Sequence, residues 1–151
     1  MDHEGAVLEL RDTTIDELSR IAEMERVDGG RFVLAWALER HHREHATAGV
    51  VYKSICRGTE LVGFLILVLD ADGRSVEFRR IVIHEPGRGH GTTVVTMVDE
   101  LCRTQLGRSR VWLDVFEDNH RAQRVYQKCG YRQFGRAAHE GRVLLLYEKV
   151  L

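Results

Sequence analysis

The first third of the chain combines a short alternating segment with residues at helical spacing. Weak alternation from Ala6 to Arg11 predicts a first strand. The next apolar residues recur every three or four positions and predict a helix capped by Thr13 or Thr14. Its apolar face consists of Ile15, Leu18, Ile21 and Met24. A break at Val27 to Gly30 separates it from a second helix, predicted from about Phe32 to His45.

Three apolar segments follow, and they predict three strands joined by short turns. The strands are Val50 to Arg57, Leu61 to Asp70 and Ser75 to His84. The turns are Gly58-Thr59-Glu60 and Ala71-Asp72-Gly73.

In the rest of the chain, segments with apolar residues at helical spacing alternate with segments at strand spacing. A helix that ends near Gly107 has an apolar face of Val94, Val95, Val98, Leu101 and Cys102. A fifth strand is predicted from Arg110 to Phe116, and the next helix ends with Gly130 as its C-cap. The apolar face of that helix consists of Ala122, Val125, Tyr126 and Cys129. With final strands at Tyr131 to Arg136 and Val143 to Val150, the order β-α-α-β-β-β-α-β-α-β-β predicts an α+β or mixed α/β sheet with helices on its faces.

Length and composition restrict the class of protein. A chain of 151 residues predicts a single domain, 1–151. Lys and Arg number 22 against 23 Asp and Glu, so no basic field favours nucleic acid as a partner. The longest apolar run, Leu61 to Leu69, is about half a membrane span, and the acidic N-terminus lacks the pattern of a signal peptide. Three separated cysteines without a C-x-x-C pair fit reduced thiols, so we expect a cytoplasmic protein.

A glycine-containing loop, Arg88-Gly89-His90-Gly91-Thr92-Thr93, lies between a predicted strand and a predicted helix. Glycine lets the backbone approach a ligand closely, and a helix start offers unpaired N–H groups and the positive end of a dipole. The loop therefore fits a phosphate or pyrophosphate. It matches neither the P-loop nor the dinucleotide fingerprint, and Gly-x-Gly alone fits an ordinary turn equally well.

A second group of residues begins at Asn119, before the last predicted helix. It reads Asn119-x-x-Ala122-x-x-Val125-Tyr126-x-Lys128-x-Gly130-Tyr131. Together with Arg88-x-x-Gly91-x-Thr93, this segment resembles the GNAT superfamily of coenzyme A-dependent N-acetyltransferases. In that superfamily the loop reads Gln/Arg-x-x-Gly-x-Gly/Ala. The later segment reads Asn-x-x-Ala-x-x-Leu/Val-Tyr-x-Lys-x-Gly-Phe/Tyr. Thr93 departs from this loop pattern. The resemblance covers about Leu61 to Arg136.

The resemblance implies a mixed, mainly antiparallel central sheet of about six or seven strands flanked by four helices. Acetyl-CoA would lie in a V-shaped splay between the fourth and fifth strands. The implied cofactor-binding residues are Ile81, Val82, Ile83, Arg88, Gly89, His90, Gly91, Thr92, Thr93 and Asn119. The strand residues would pair through their backbone with the pantetheine amides, and the loop amides would hold the pyrophosphate. Asn119 also fits a helix N-cap.

The resemblance also implies two catalytic residues. Tyr126 stands where many members have a tyrosine general acid, which would protonate the leaving thiolate. Glu77, eleven residues before Arg88, stands where some members have a glutamate base. A base is needed because an ammonium of pKa near 10.4 must lose a proton before it can attack. A core tyrosine and an arginine-paired or solvated glutamate are the structural alternatives.

The expected function is N-acetyltransfer from acetyl-CoA to a primary amine, on a small molecule or a peptide, by direct attack. Alternatives are N-terminal or other N-acyltransfer, and a non-catalytic module that binds acyl-CoA and regulates a partner. Dimers are frequent in the superfamily, which leaves a homodimer open.

The remaining charged and polar residues give two further expectations. Four carboxylates predict an acidic mouth that attracts a cationic acceptor: Glu23, Glu25, Asp28 and Glu140. His41 and His45 have zinc-ligand spacing, but no fourth ligand is in view, so with His42 they are read as solvated and no metal site is predicted. Trp36 and Trp112 are read as core residues.

Overall fold

The computed structural model of the chain describes residues 7–84 and 89–151. Its strands are β1 Leu8–Asp12, β2 Val50–Arg57, β3 Glu60–Leu69, β4 Ser75–Ile83, β5 Arg110–Phe116, β6 Arg132–His139 and β7 Arg142–Val150. Its helices are α1 Leu18–Asp28, α2 Leu38–His45, α3 His90–Thr104 and α4 His120–Lys128. The seven strands form one sheet in the order β1-β2-β3-β4-β5-β7-β6, in which only β4 and β5 are parallel. The predicted mixed sheet with four helices is confirmed.

The sheet separates two apolar cores. On one face, α1 packs Leu18 and Ile21 against Phe64 and Ile66 of β3. On the other face, α3 and α4 pack against the central strands. The buried residues of this second core include Val76, Phe78, Val94, Val98, Leu113 and Tyr126. Helices α1, α3 and α4 each present one apolar face to the sheet, as their spacing predicts. No helix of the described residues is long and apolar enough to cross a membrane.

Two details of the helices differ from the sequence predictions. The second helix begins at Leu38 rather than near Phe32. Tertiary hydrogen bonds hold the preceding segment as a loop, because Trp36 N–H donates to the Glu25 carboxylate at 2.7 Å and the Leu34 carbonyl accepts from Arg80 at 2.6 Å. Ile15, predicted on the apolar face of the first helix, is 63% exposed since it lies in a 3-10 turn before α1.

A buried polar contact fixes α3 against the end of the sheet. Asp99 of α3 accepts hydrogen bonds from the Tyr131 hydroxyl at 2.6 Å and from Lys149 Nζ at 2.9 Å. Lys149 also donates to the Cys129 carbonyl at 2.8 Å, at the end of α4. Lys149 of β7 therefore holds the second half of α3 and the end of α4, the two helices that begin beside the cleft described below.

Strands β4 and β5 separate soon after they meet. Ser75 to Glu77 pair with Arg110 to Trp112, and no further pairs form between these strands. On its other edge β4 stays paired with β3, with a bulge at Arg79. From Phe78 to Ile83 the edge of β4 that faces β5 therefore has no strand partner within the described part of the chain. This is the predicted splay.

Gly63 of β3 lies unusually close to β4. A Cβ atom at this position would be 2.5 Å from the Val82 carbonyl oxygen and 3.2 Å from the Ile83 Cα. Both contacts are with backbone, which cannot rotate away. Glycine at position 63 thus determines how closely β3 supports the open segment of β4.

Candidate active site

A cleft with a volume of about 1310 Å³ opens at the splay between β4 and β5. Pockets for single small molecules usually measure about 300–1,000 Å³, so this cleft is large enough for a cofactor arm and an acceptor together. Its walls come from the open edge of β4, the start of α3, the far half of β5, the start of α4 and the loop between α1 and α2.

The start of α3 forms one end of the cleft. Gly89 adopts a positive φ of 79° immediately before the helix, a conformation that favours glycine. Its neighbours His90, Gly91 and Thr92 line the cleft with it, and the first backbone N–H groups of a helix have no partner within that helix. Thr93 is exposed and lies outside the cleft lining. Arg88, also predicted to bind cofactor, lies outside the described residues.

The predicted strand residues border the cleft directly. Ile81, Val82 and Ile83 all line it, and they belong to the segment of β4 that lacks a partner strand. Backbone N–H and C=O groups along such an edge are free to pair with amides of an extended ligand, as an added strand would.

Asn119 joins the cleft at the start of α4. Its side-chain oxygen accepts a hydrogen bond from the Ala122 N–H at 3.3 Å, so the predicted N-cap is confirmed. Asn119 also lines the cleft, on the same side of the sheet as α3. The cap and a cofactor contact are compatible at this position.

Tyr126 lies in the wall of the cleft, one helical turn after Ala122. Its ring is buried in the core, with 8% of the residue exposed. Its hydroxyl forms no hydrogen bond with a described residue, yet no fully buried side-chain polar atom there lacks a partner. The hydroxyl therefore reaches the cleft surface. Burial, followed by the nearby charge of Asp114, raises the pKa of Tyr126, so it is a neutral phenol with a proton to donate.

Glu77 also lines the cleft, where β4 and β5 begin to separate. Its carboxylate accepts a hydrogen bond from Arg79 at 2.8 Å, and Arg79 also lies 3.6 Å from Glu44. The arginine-paired alternative is thus present in the structure. Because the pair is only partly buried, it leaves Glu77 accessible from the cleft.

Asp114 is a cleft-lining carboxylate that the sequence analysis missed. It lies on β5 beyond the last pair with β4, and it forms no ion pair or hydrogen bond with a described residue. Loss of hydration in the cleft, together with the charge of Glu77, raises the pKa of Asp114. The sequence offered only a weak signal for this residue. Val111, Leu113 and Val115 mark the apolar face of β5, and Asp114 falls on the opposite face.

A buried polar cluster lies behind the cleft, between α1, α2 and β4. Glu25 accepts hydrogen bonds from Arg80 at 2.7 Å and from the backbone of Trp36, and it lies 2.9 Å from His41 Nε2. His41 Nδ1 in turn lies 2.8 Å from the Tyr52 hydroxyl. Both Glu25 and His41 have fully buried side chains.

The predictions for His41, His45 and Glu25 are wrong. His41 is not a solvated histidine, because it connects Glu25 to Tyr52 inside the protein. His45, read as solvated too, is partly buried with Nε2 2.9 Å from the Thr13 carbonyl. Glu25 does not face an acceptor at an acidic mouth, since its carboxylate is enclosed by donors. Their partners lie far away in the chain, which is why helical spacing alone did not reveal the cluster.

The family model for the GNAT acetyltransferase family matches residues 11–131. The chain belongs to this family. The match includes both motifs and the whole splayed region, and it makes the protein a GNAT acetyltransferase. A search among curated proteins found no significant match.

Solved structures of GNAT enzymes share the fold at low sequence identity. Spermidine N-acetyltransferase from Vibrio cholerae, in complex with CoA and spermine, has a TM-score of 0.83 and 18% identity, with 95% of each chain covered. A dodecameric structure of spermidine N-acetyltransferase from the same organism has a TM-score of 0.79 and 17% identity, with 95% of this chain and 93% of that chain covered. At these identities the likeness establishes the common fold.

The acceptor side of this GNAT cleft has mixed charge. Of the four carboxylates predicted at an acidic mouth, only Asp28 and Glu140 line the cleft. Glu23 is paired with Arg26 on the exposed side of α1. Arginines alternate with the acids around the cleft: Arg31, Arg40, Arg79, Arg80 and Arg121. The predicted acidic mouth is therefore wrong as a description of this surface.

The two tryptophans are less buried than the core assignment predicts. Trp36 is half-buried and lines the cleft, with the guanidinium carbons of Arg40 and Arg80 at 4.0 and 3.8 Å from its ring centroid. Trp112 is half-buried and donates through Nε1 to Asp70 at 2.6 Å. Within residues 7–84 and 89–151, no group of His, Cys, Asp and Glu is arranged to hold a metal ion.

Proposed function

We propose that this GNAT acetyltransferase transfers an acetyl group from acetyl-CoA to a primary amine by direct attack of the amine. The observation that carries the proposal is the meeting of three features in one cleft: the unpartnered edge of β4, the start of α3 and the hydroxyl of Tyr126. An extended amide-bearing arm, a pyrophosphate and a leaving thiolate each have a matching group there.

The residues present fit acetyl-CoA. A Cβ atom at Gly91 would contact only the Val125 methyl groups, at 3.6–3.7 Å, so the protein itself does not require glycine there. Close approach of a ligand backbone or phosphate explains the glycine better. Arg88, Gly89, His90, Gly91, Thr92 and Thr93 are proposed to hold the pyrophosphate, Ile81 to Ile83 the pantetheine arm, and Asn119 a further cofactor contact. Bound acetyl-CoA supplies an activated acetyl thioester.

Three groups of the chain would act on the reacting atoms. A carboxylate, Glu77 in this proposal, accepts the proton that the ammonium must lose, directly or through water. The bulge at Arg79 leaves a backbone group outside the β-ladder, where its N–H can polarise the acetyl carbonyl. As the N–C bond forms and the C–S bond breaks, Tyr126 donates its proton to the departing sulfur.

Direct attack is favoured over a covalent acyl-enzyme by the lining of the cleft. Neither serine nor cysteine lines it among the described residues. Cys56 and Cys102 are buried, and the pKa of the partly buried Cys129 thiol is raised by burial. A poised thiolate is therefore not provided by these three cysteines.

The experiment is a thiol-release assay with acetyl-CoA against a panel of amines and peptides, with calorimetry of acetyl-CoA binding in parallel. We expect thiol release that requires a primary amine. Binding of acetyl-CoA without thiol release for any acceptor would favour the non-catalytic module. Activity only with peptide N-termini, or only with another acyl-CoA, would favour the N-terminal or other N-acyltransferase. Sedimentation analysis of the same preparation would test the homodimer.

A further inference from the structure

Several charged side chains that line the cleft have partners of opposite charge. Glu77 pairs with Arg79 at 2.8 Å, and Asp118 lies 3.4 Å from Arg31. Asp28 lies 3.0 Å from His84 Nδ1. These contacts occupy part of the charge that lines the cleft, so the charged side chains without a partner are the ones left free to bind an acceptor.

Among the described cleft-lining carboxylates, Asp114 alone forms no ion pair. Among the described cleft-lining arginines, Arg40 and Arg121 form none. Arg121 lies at the start of α4, on the same sheet face as α3, where phosphates are expected. Arg40 lies on α2, and its stacking partner Trp36 packs against the core on the opposite face. Arg40 is thus placed on the acceptor side.

Arg40 is held by a fixed platform. Its guanidinium carbon lies 4.0 Å from the Trp36 ring centroid, and that of Arg80 lies 3.8 Å from the same centroid. The Trp36 backbone is fixed by its hydrogen bond to Glu25. Two guanidinium groups on one indole repel each other, and only Arg80 has a carboxylate partner, at Glu25. An anion bound at Arg40 would offset this excess of positive charge.

Asp114, in contrast to Arg40, lies close to the residues that are proposed to act on the reacting atoms. It lies between the elements that carry Glu77 and Tyr126, and its charge affects the pKa of Tyr126. The groups around it are Glu77, Arg79 and Arg80 from β4, His139 from β6 and Tyr126 from α4. An ammonium bound to Asp114 would thus be within the part of the cleft where the thiolate is protonated.

We propose that the acceptor is an aminocarboxylate, whose ammonium binds Asp114 and whose carboxylate binds Arg40 on the Trp36 platform. This inference rests on the proposed N-acetyltransferase function and specifies its substrate class. A carboxylate suits the planar, forked guanidinium donors of arginine. A polycation, in contrast, would place further positive charge beside Arg40 and Arg80. The expected acceptor class therefore differs from the spermine bound to the Vibrio cholerae neighbour.

The experiment compares matched acceptors in wild type and two variants. Each aminocarboxylate in a series of increasing length (glycine, β-alanine, 4-aminobutyrate, 6-aminohexanoate) is paired with the amine that lacks the carboxylate, and spermidine is added. The variants are Arg40→Gln and, as a control, Arg43→Gln, because Arg43 is exposed on the same helix and lies outside the cleft lining.

We expect at least one aminocarboxylate to have a higher kcat/KM than its matched amine and than spermidine. Arg40→Gln should lower this kcat/KM at least about tenfold, since hydrogen bonds to charged groups contribute this much or more. The matched amine should be unaffected by Arg40→Gln, and both acceptors by Arg43→Gln. Asp114→Asn should lower kcat/KM for both members of a pair.

Three outcomes would overturn the inference. They are a preference for spermidine or a simple amine, an equal effect of Arg40→Gln on both members of a pair, and a loss of acetyl-CoA affinity in Arg40→Gln. Binding of each acceptor to the protein–CoA complex, measured by ligand-observed NMR, gives a readout that does not depend on turnover. If no acceptor supports thiol release, the proposed function fails, while Arg40-dependent binding of aminocarboxylates still decides the substrate-class question.

Discussion

Arg80 donates a hydrogen bond to Glu25 at 2.7 Å, across 55 positions of the chain. The contact joins the segment of β4 just after the bulge to α1, and both side chains are largely withdrawn from water. The same guanidinium also donates to the Leu34 carbonyl at 2.6 Å. One side chain thus holds β4, α1 and the loop between α1 and α2 in a fixed relation.

Replacing Glu25 with Gln should destabilise the protein strongly. The buried Arg80 guanidinium would lose its anionic partner, and removal of one partner of a buried ion pair costs about 3 kcal/mol or more. Urea unfolding followed by circular dichroism measures the free energy of unfolding. Glu23→Gln is the control, because Glu23 pairs with Arg26 on the exposed side of the same helix and should change stability by less than about 0.5 kcal/mol. Equal effects of the two substitutions would contradict the prediction.

The same carboxylate makes stability depend on pH. Burial opposes ionisation of Glu25, but hydrogen bonds from His41 and the Trp36 backbone and the charge of Arg80 outweigh it and lower its pKa below the ordinary 4.5. A lowered pKa means that the stabilisation is complete above pH 4.5 and is lost as the pH falls through the lowered value. We expect the difference in unfolding free energy between wild type and Glu25→Gln to be constant above pH 4.5 and to shrink below it. A difference that grows with acidification would refute this.

Tyr126→Phe should reduce kcat roughly 10²–10⁴-fold, the usual range for loss of a general acid. Affinity for acetyl-CoA should change little, because the ring keeps its packing and the hydroxyl has no hydrogen-bond partner to lose among the described residues. Tyr147→Phe is a suitable control: Tyr147 is also buried, accepts a hydrogen bond from Gln127 at 3.1 Å and does not line the cleft. If both variants retain wild-type kcat while chemistry limits turnover, Tyr126 is a core tyrosine only.

Substitutions at Gly91 should separate folding from cofactor binding. Gly91→Ala adds a Cβ that meets Val125 at ordinary distances, so the variant should fold with near wild-type stability. Gly91→Glu should abolish binding of acetyl-CoA, because bulk and negative charge would occupy the expected pyrophosphate position. Calorimetry measures the affinity, and thermal unfolding confirms the folded state. Unchanged affinity in a folded Gly91→Glu variant would place the phosphates elsewhere.

Glu77→Gln should displace or flatten the ascending limb of the profile of kcat/KM against pH. The expected cause is loss of the group that takes the proton from the ammonium. Arg79→Gln controls for the ion pair alone, since it removes the 2.8 Å contact but leaves the Glu77 carboxylate. A profile that shifts equally in both variants would mean that the pair positions β4 and that another group accepts the proton.

Regular spacing predicted the secondary structure well where a helix or strand presents one face to a core. The sheet and the four helices follow from local sequence, although α3 begins at His90, inside the segment that was predicted as a loop. The start of α2 could not be predicted in this way. The apolar residues from Phe32 to Trp36 line the cleft, and their backbone forms hydrogen bonds with distant side chains. Glu25 and His41 were misread for a related reason. A charged residue on a helix is usually solvated, and only its tertiary partners reveal otherwise.

The residues of the candidate site also differ in how well the sequence predicts them. Gly89, Asn119 and Tyr126 belong to contiguous motifs and could be located from the sequence. Asp114 and Arg40, the residues proposed to bind the acceptor, belong to no motif, and neither has a charged partner among the described residues. This is a property of the assembled cleft, which no local pattern records. Recognition of the acceptor is consequently the part of the function that depends most on three-dimensional structure.

The narrow gap at Gly63 affects how this enzyme could be altered in the laboratory. Position 63 is on β3 and lies outside the cleft lining. A design that considers only cleft residues would therefore treat a substitution there as having no effect on binding. Any side chain there would meet the Val82 carbonyl and displace β4. If β4 holds the pantetheine arm as proposed, we expect a library that randomises β3 to weaken acetyl-CoA binding through position 63, without a direct contact between the new side chain and the coenzyme.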